Sequence, residues 1–192
     1  MSKASQVIVL CEDRLQEVFL CRFLKHGWGI AIRDIRVVPY PHGSGGAGEK
    51  HVRDRYPNEL KAYRARSARA ITILLVAIDA DDKTVQTHQQ ELDEACGCEQ
   101  PAVTVRQVGE AVVHVIPKWH IETWLAYLDG IKVSENGQYK ASHAFQGRES
   151  DCHPLIDKLA ATCRNGQQLT DPPDSLMQTC REFGRIRGLL RH

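Results

Sequence analysis

The sequence predicts a doubly wound α/β fold, a mainly parallel four-stranded sheet flanked by helices. Three observations predict it. First, Val7-Ile8-Val9-Leu10-Cys11, Ile71-Thr72-Ile73-Leu74-Leu75-Val76-Ala77-Ile78 and Val112-Val113-His114-Val115-Ile116 are apolar runs of strand length. A run without polar alternation marks a strand buried on both faces, as in a parallel sheet. Second, helical periodicity fills the stretches between them, and strand–helix alternation builds parallel sheets. Third, each run meets charge where it ends: Glu12-Asp13, Asp79-Ala80-Asp81-Asp82, and Pro117-Lys118 with Glu122 one helical turn beyond.

The elements follow in order. Residues 7–10 form the first strand. Asp13 caps a helix reaching about residue 26, with Leu15, Phe19 and Phe23 four apart and Gly27 as its stop. Residues 32–40 alternate Ile and Arg before Val37-Val38 and read as a less buried second strand. Pro39, Pro41 and the glycine-rich residues 43–48 make a flexible loop. A basic helical stretch follows, residues 49–55 and then 58–69, broken at Pro57. Residues 71–78 form the third strand and 83–96 a helix. Residues 111–116 form the fourth strand. A helix over 119–129 places Ile121, Trp124, Leu125 and Leu128 on one face, with Gly130 behind it. Residues 131–149 are polar and read as an insert or mobile loop. Helices over 153–164 and 174–190 close the chain. Pro172-Pro173 precedes the last, whose inner face carries Leu176, Cys180, Phe183 and Leu190.

The bulk numbers bound the function. With 192 residues, 42% of them hydrophobic, the chain is long enough for one domain with a real core. No apolar run approaches the ~20 residues of a membrane span. Residues 1–6 lack the features of a secretory leader, so a cytoplasmic protein is expected. Seven cysteines, an odd number set mostly in apolar or helical segments, are expected to be reduced thiols. Cys96 and Cys98, with His88 upstream, offer zinc donors but no second pair at finger-like spacing.

A net charge of +1 excludes a globally basic nucleic-acid binder. The charge is nevertheless uneven. Lys50, Arg53, Arg55, Lys61, Arg64, Arg66 and Arg69 face only Asp54 and Glu59 in the same stretch, and Arg181, Arg185, Arg187 and Arg191 gather near the end beside Glu182. Such runs are commonly solvated helix faces; opposite a metal cluster they would position a phosphate backbone.

The acids at the strand ends carry the chemistry. Ligands of doubly wound sheets sit outside the carboxyl ends of the strands, where these acids would converge. Clustered carboxylates repel unless a cation lies between them, which points to Mg²⁺ or Mn²⁺. Asp79 and Asp81, on one side of an extended segment, would hold one metal or two, with Asp82 nearby; the alternative is a helix cap. Glu12 suits a metal ligand or general acid/base, against a solvated loop acid. Lys118 can neutralise charge on a phosphate oxygen. Glu122 faces the same crevice or pairs with Lys118 at i, i+4. His120 reads as solvated or helix-capping. The glycine loop lacks the spacing of a phosphate-binding motif.

These residues resemble the toprim domain of type IA topoisomerases, bacterial primases, ribosomal-RNA maturation nucleases and nucleases of the overcoming-lysogenization-defect type. Val9-Leu10-Cys11-Glu12-Asp13-Arg14-Leu15-Gln16-Glu17-Val18-Phe19 is similar to the toprim opening of strand, Glu, turn and helix. Ala77-Ile78-Asp79-Ala80-Asp81-Asp82 matches its Asp-x-Asp. Residues 116–124, Ile-Pro-Lys-Trp-His-Ile-Glu-Thr-Trp, are similar to the third signature of small toprim-like nucleases from bacterial defence loci. One departure is Asp13, which stands where the family has glycine.

The resemblance covers residues 6–130. It implies a toprim-like α/β domain over 1–130, with a loop and C-terminal helical extension over 131–192 packed on it. It makes Glu12 the general acid/base or a metal ligand, and Asp79 and Asp81 metal ligands; beside them, Lys118 is expected to stabilise phosphoryl charge and Glu122 to hold a second metal. It also implies a nuclease working with an ABC-type or overcoming-lysogenization-defect-type ATPase against phage. Two alternatives stand beside it. One is a non-catalytic toprim-like binding subunit. The other is a phosphohydrolase or phosphotransferase on the same Asp cluster, although the nucleophilic Asp-x-Asp of HAD-like enzymes follows the first strand, where Glu12-Asp13 stands here.

Overall fold

The computed structural model describes residues 4–41, 47–139, 141, 145 and 147–190. Four parallel strands, β1 (Gln6–Leu10), β2 (Ile35–Val37), β3 (Thr72–Ala77) and β4 (Val112–Val115), lie in the order β2-β1-β3-β4. The chain steps from β1 to β2 in one direction and then from β2 past β1 to β3 in the other. Right-handed crossovers therefore place the first helix on one face and the next two on the opposite face. The sheet changes direction between β1 and β3, the switch point at which such folds bind ligands.

Helix α1 (Arg14–Trp28) packs on one face. Asp13 caps it, its Oδ1 accepting the Gln16 amide at 2.9 Å. Gly27 is not its stop. A Cβ there would lie 3.0 Å from Ala160 Cβ, so the glycine admits a close neighbour, and the helix ends at left-handed Gly29 (φ 65°). That neighbour is α5 (His153–Asn165). Helices α4 (Ile121–Leu128) and α6 (Asp174–Arg185) share this face. Their aromatic rings meet α1, with Phe19 and Trp124 centroids 5.9 Å apart and Phe23 and Phe183 4.9 Å apart. The chain ends in α7 (Arg187–Leu190), split from α6 at Ile186, so residues 174–190 do not form one helix.

Helices α2 (Ala47–Ser67) and α3 (Val85–Cys98) cover the other face. Pro57 does not break α2. A proline removes one backbone hydrogen bond, but Tyr56, Leu60 and Tyr63 are buried around it and hold both halves against the sheet. The second strand is shorter than its alternation suggests, because a 3₁₀ turn, Ile32–Asp34, takes its first residues and leaves Ile32 62% exposed. Among the described residues β2 is an edge strand paired with β1 alone.

The C-terminal extension is continuous with the core. Ile156, Leu159, Leu176, Phe183 and Leu190 join the strand residues in one apolar cluster. Arg185 clamps the approach to β4, donating to the Val108, Glu110 and Val112 carbonyls. The Ala4 amide donates to Leu189 O at 2.9 Å, tying the start of the chain to its end. All seven cysteines are free thiols. Among the described residues no helix is long and apolar enough to cross a membrane.

His114 points from β4 toward α2, where its Nε2 lies 3.1 Å from Tyr56 Oη. Burial, reinforced by the Arg106 and Arg185 cations, pushes its imidazole down from 6.5 to about 3. The unfolded chain therefore binds one more proton than the folded chain across that window. Stability should fall as pH drops from 6.5 toward 3, by up to about 1.4 kcal/mol per pH unit from this group. Urea unfolding at pH 7 and pH 5 should show a shallower decline in His114→Gln, and an unchanged decline would remove His114 as the cause.

Candidate metal and acid/base site

β1 and β3 pair in register, Leu10 opposite Val76, so both strands reach the carboxyl edge together. Glu12 leaves β1 and Asp79 leaves β3 at that edge, and Glu12 Oε1 accepts the Asp79 amide at 2.9 Å. Asp79 is only 6% exposed. Its Oδ1 accepts from Gln16 Nε2 at 2.9 Å, and its Oδ2 lies 3.3 Å from His120 Nδ1. The same His120 nitrogen lies 3.2 Å from Asp81 Oδ1. One small, positively charged group can therefore reach both carboxylates.

Gln16 joins the parts. Its Oε1 accepts the Glu12 amide at 3.0 Å while its Nε2 serves Asp79, and the side chain is fully buried. The departure at Asp13 has a physical reason as well. Its backbone is extended (φ −148°, ψ 178°), a conformation open to any residue, and its carboxylate caps α1. The turn after Glu12 needs no glycine. The close approach falls elsewhere, at Gly48 in the first turn of α2. A Cβ on Gly48 would lie 2.8 Å from Glu12 Cβ and 2.9 Å from Glu12 O. Residues 42–46 of the glycine loop lie outside the described residues.

The Asp cluster is not a helix cap, because Thr84 caps α3, accepting the Thr87 amide. Asp81 instead adopts a left-handed conformation (φ 48°) and pairs with Trp119, also left-handed (φ 63°). Ala80 and Asp81 amides donate to the Pro117 and Trp119 carbonyls, which zips together the exits of β3 and β4. Asp82 is exposed in the following turn. Lys118 Nζ donates to the Asp81 and Lys83 carbonyls at 2.8 and 2.6 Å and sits 4.5 Å over the Trp119 ring. An ammonium has three N–H donors, so one remains. Glu122, in the first turn of α4, is buried. The Lys118 amide donates to Ser175 Oγ, which brings the start of α6 to the rim of the site.

Electrostatics follow from this burial. Burial first, then the Asp79 carboxylate, pushes Glu12 well above the usual carboxylate range, against the pull of the Asp79 amide. Burial raises Asp79 also, opposed by the hydrogen bonds from His120 and Gln16. His120 occupies the N-cap position of α4, but its side chain turns to the two aspartates and caps nothing.

The basic residues of α2 are mostly engaged with acids. Lys50 pairs with Asp54, Arg55 with Glu59 and Lys61 with Glu99. Arg53 reaches Glu49 and Glu91. Arg64 grips Glu110 and the Thr104 and Val105 carbonyls, and Arg66 buries Nη1. Near the C-terminus, Arg185 and Arg187 bond to backbone carbonyls, and Arg191 lies outside the described residues.

A second cluster, Glu49, His88 and Glu91, could also hold a metal ion. Among the described residues it is the group of three or more donors whose ligand atoms all lie within 4.8 Å of one another. Glu12, Asp79, Asp81 and Asp82 do not meet that spacing. His88 belongs with Glu49 and Glu91 and not with Cys96 and Cys98; Cys96 is buried while Cys98 is exposed. His88 and Glu91 stand at i, i+3 on α3, a spacing legible in the sequence that points two donors to one side. Asp13-x-x-Gln16, with the pattern of a capping box, was the available signal for Gln16. Nothing local marks Gly48, whose role depends on where α2 lands. No protein-family model, curated protein or solved structure matches the chain.

Gln16→Leu should cost about 1–3 kcal/mol, because it leaves Asp79 Oδ1 and the Glu12 amide without their buried partner. Chemical denaturation measures it, and a change below a few tenths would show that water replaces the amide. Gly48→Ala should destabilise by roughly 1–3 kcal/mol, since the new methyl meets backbone that has little room to shift. Thermal unfolding would reveal it, and an unchanged midpoint would mean that α2 slides without penalty.

Proposed function

We propose that this chain is a metal-dependent nuclease of toprim type, a cytoplasmic phosphodiesterase that acts on DNA or RNA. The observation that carries the reading is the meeting of Glu12 with Asp79 at the switch point of the sheet, with Asp81 held nearby through His120. The donor chemistry fits a hard dication. Glu12, Asp79 and Asp81 supply carboxylate oxygens, and His120 Nδ1 lies between the two aspartates, where positive charge is favoured. Asp79, Asp81 and Glu12 would hold Mg²⁺ or Mn²⁺, with Asp82 at the open side. The chemistry such an ion supplies when bound is Lewis-acid polarisation of a phosphoryl oxygen.

The chain's own residues do the rest. Glu12 would either complete the metal site or, in place of that role, carry the proton of the attacking water to the leaving oxygen. Gln16 fixes the angle of Asp79, and Lys118 offers its remaining N–H to developing phosphate charge. Glu122, buried in the first turn of α4, would hold a second metal ion. Lys50, Arg53, Arg55, Lys61, Arg64 and Arg66 of α2 would meet the nucleic-acid backbone after exchanging protein carboxylates for phosphates. An ATPase partner of ABC or overcoming-lysogenization-defect type, within an antiphage system, accords with the resemblance.

A second reading has its own support. The acids of α2 and its surroundings already pair with most of its basic residues, which suits a toprim-like binding subunit without chemistry of its own. Cleavage of labelled single-stranded DNA, plasmid DNA and RNA with Mg²⁺ or Mn²⁺ separates the two. The nuclease reading expects degradation by wild type and a loss of at least roughly 100-fold in Asp79→Ala and Glu12→Gln. Equal inertness of all three proteins, with binding that survives Asp79→Ala, would sink it in favour of the binding subunit.

A further inference from the structure

His88 of α3 lies beside Glu49 of α2 and is 1% exposed. Its Nε2 lies 3.2 Å from the Ala80 carbonyl. A carbonyl only accepts, so Nε2 carries the hydrogen, and in the neutral ring Nδ1 presents a lone pair. That lone pair faces Glu91 Oε2 at 3.1 Å; neither atom has a hydrogen-bond partner, and Oε2 has only the looser ion pair with Arg53 Nη1 at 3.4 Å. Two buried acceptors aimed at each other repel unless positive charge lies between them. Glu49 completes the group, with one ligand atom from each residue inside a 4.8 Å span.

We propose that Glu49, His88 and Glu91 form a second metal site, selective for a borderline dication such as Zn²⁺ over Mg²⁺. An imidazole nitrogen with two carboxylates suits Zn²⁺, whereas Mg²⁺ prefers oxygen donors in near-octahedral array. The Ala80 carbonyl acts as the outer partner of His88, fixing its tautomer as such partners do for metal-bound histidines. Donors about 2.1 Å from one ion stand up to about 4.2 Å apart, so small rotamer changes of the two glutamates close the site.

Two cations now neutralise the cluster. Lys83 Nζ lies 2.6 Å from Glu91 Oε1 and 3.3 Å from Glu49 Oε1. Arg53 Nη1 lies 3.3 Å from Glu49 and 3.4 Å from Glu91. Both reach carboxylate oxygens, and neither bonds to His88 Nδ1. Lys83 is 36% exposed and can leave for solvent, so its ammonium is a competitor for the metal and its removal should tighten binding. Because Ala80 separates Asp79 from Asp81, a metal here would brace the segment that carries both. The site does not depend on the nuclease reading.

The test is calorimetric titration of the full-length, chelator-stripped chain with Zn²⁺ and with Mg²⁺, alongside the visible absorption of a Co²⁺ form. Wild type should bind Zn²⁺ with a component that Glu91→Gln removes, while any Mg²⁺ binding is the same in wild type and Glu91→Gln. Loss of a ligand in Glu91→Gln or His88→Gln should weaken the Zn²⁺ site by at least roughly 10–100-fold, the effect known for outer partners alone. Glu91 is partly exposed, so its variant keeps the fold even where a change at buried His88 does not. Lys83→Met should tighten the site, and Asp79→Ala should leave it unchanged. Absence of Zn²⁺ binding would overturn the proposal. Zn²⁺ binding that survives Glu91→Gln but vanishes in Asp79→Ala would overturn it equally.

Discussion

The parallel pairing of β1 with β3 is the constraint on which the rest depends. Its register sets Leu10 beside Val76, so that both strands run out at the same height. The backbone amide of Asp79 then falls within reach of the Glu12 carboxylate. A slip of one residue would reverse which face each side chain occupies and carry these acids apart. Continuous apolar strands, buried on both faces, lock the register. The winding direction switches between these two strands, so both acids stand at the edge where such folds bind ligands.

Burying acids at that edge is unfavourable unless their oxygens are met. Gln16, His120 and the Asp79 amide meet them, and each comes from a different stretch of chain. Gln16 depends on the capped start of α1. His120 depends on the end of β4, where paired left-handed residues tie Trp119 to Asp81. Lys118 stabilises the same turn from outside through two carbonyls. The geometry that gathers negative charge at this edge is therefore held by hydrogen bonds from three separate elements.

The helices that flank the sheet contribute more than cover. Helix α2 arrives close enough to Glu12 that only glycine fits at position 48, and its basic side chains settle on nearby acids. Its first turn brings Glu49 to Lys83, so α2, α3 and the turn after β3 share one ion-pair network. On the opposite face, Ser175 of α6 accepts the Lys118 amide and the Trp124 indole, making the C-terminal extension part of the support beneath the site.

The sequence by itself determined the sheet and the acids at its edge. Unbroken apolar runs have one stable place in an α/β domain, and charge at their ends must fall on the rim. Asp13 as the cap of α1 was legible for the same local reason. Other features depended on distant partners. Gly27 looks like a helix stop until Ala160 packs against it, and Pro57 looks like a break until the buried aromatics around it hold α2 straight. His120 looks like a solvated cap until the β3 and β4 exits pair. The basic stretch reads as nearly unpaired charge until Glu91, Glu99 and Glu110 on other elements are seen beside it. Glu49 and His88 lie 39 residues apart, and only the docking of α2 on α3 makes them neighbours. Local patterning decides which face a residue takes; which residue it meets there is decided by long-range packing.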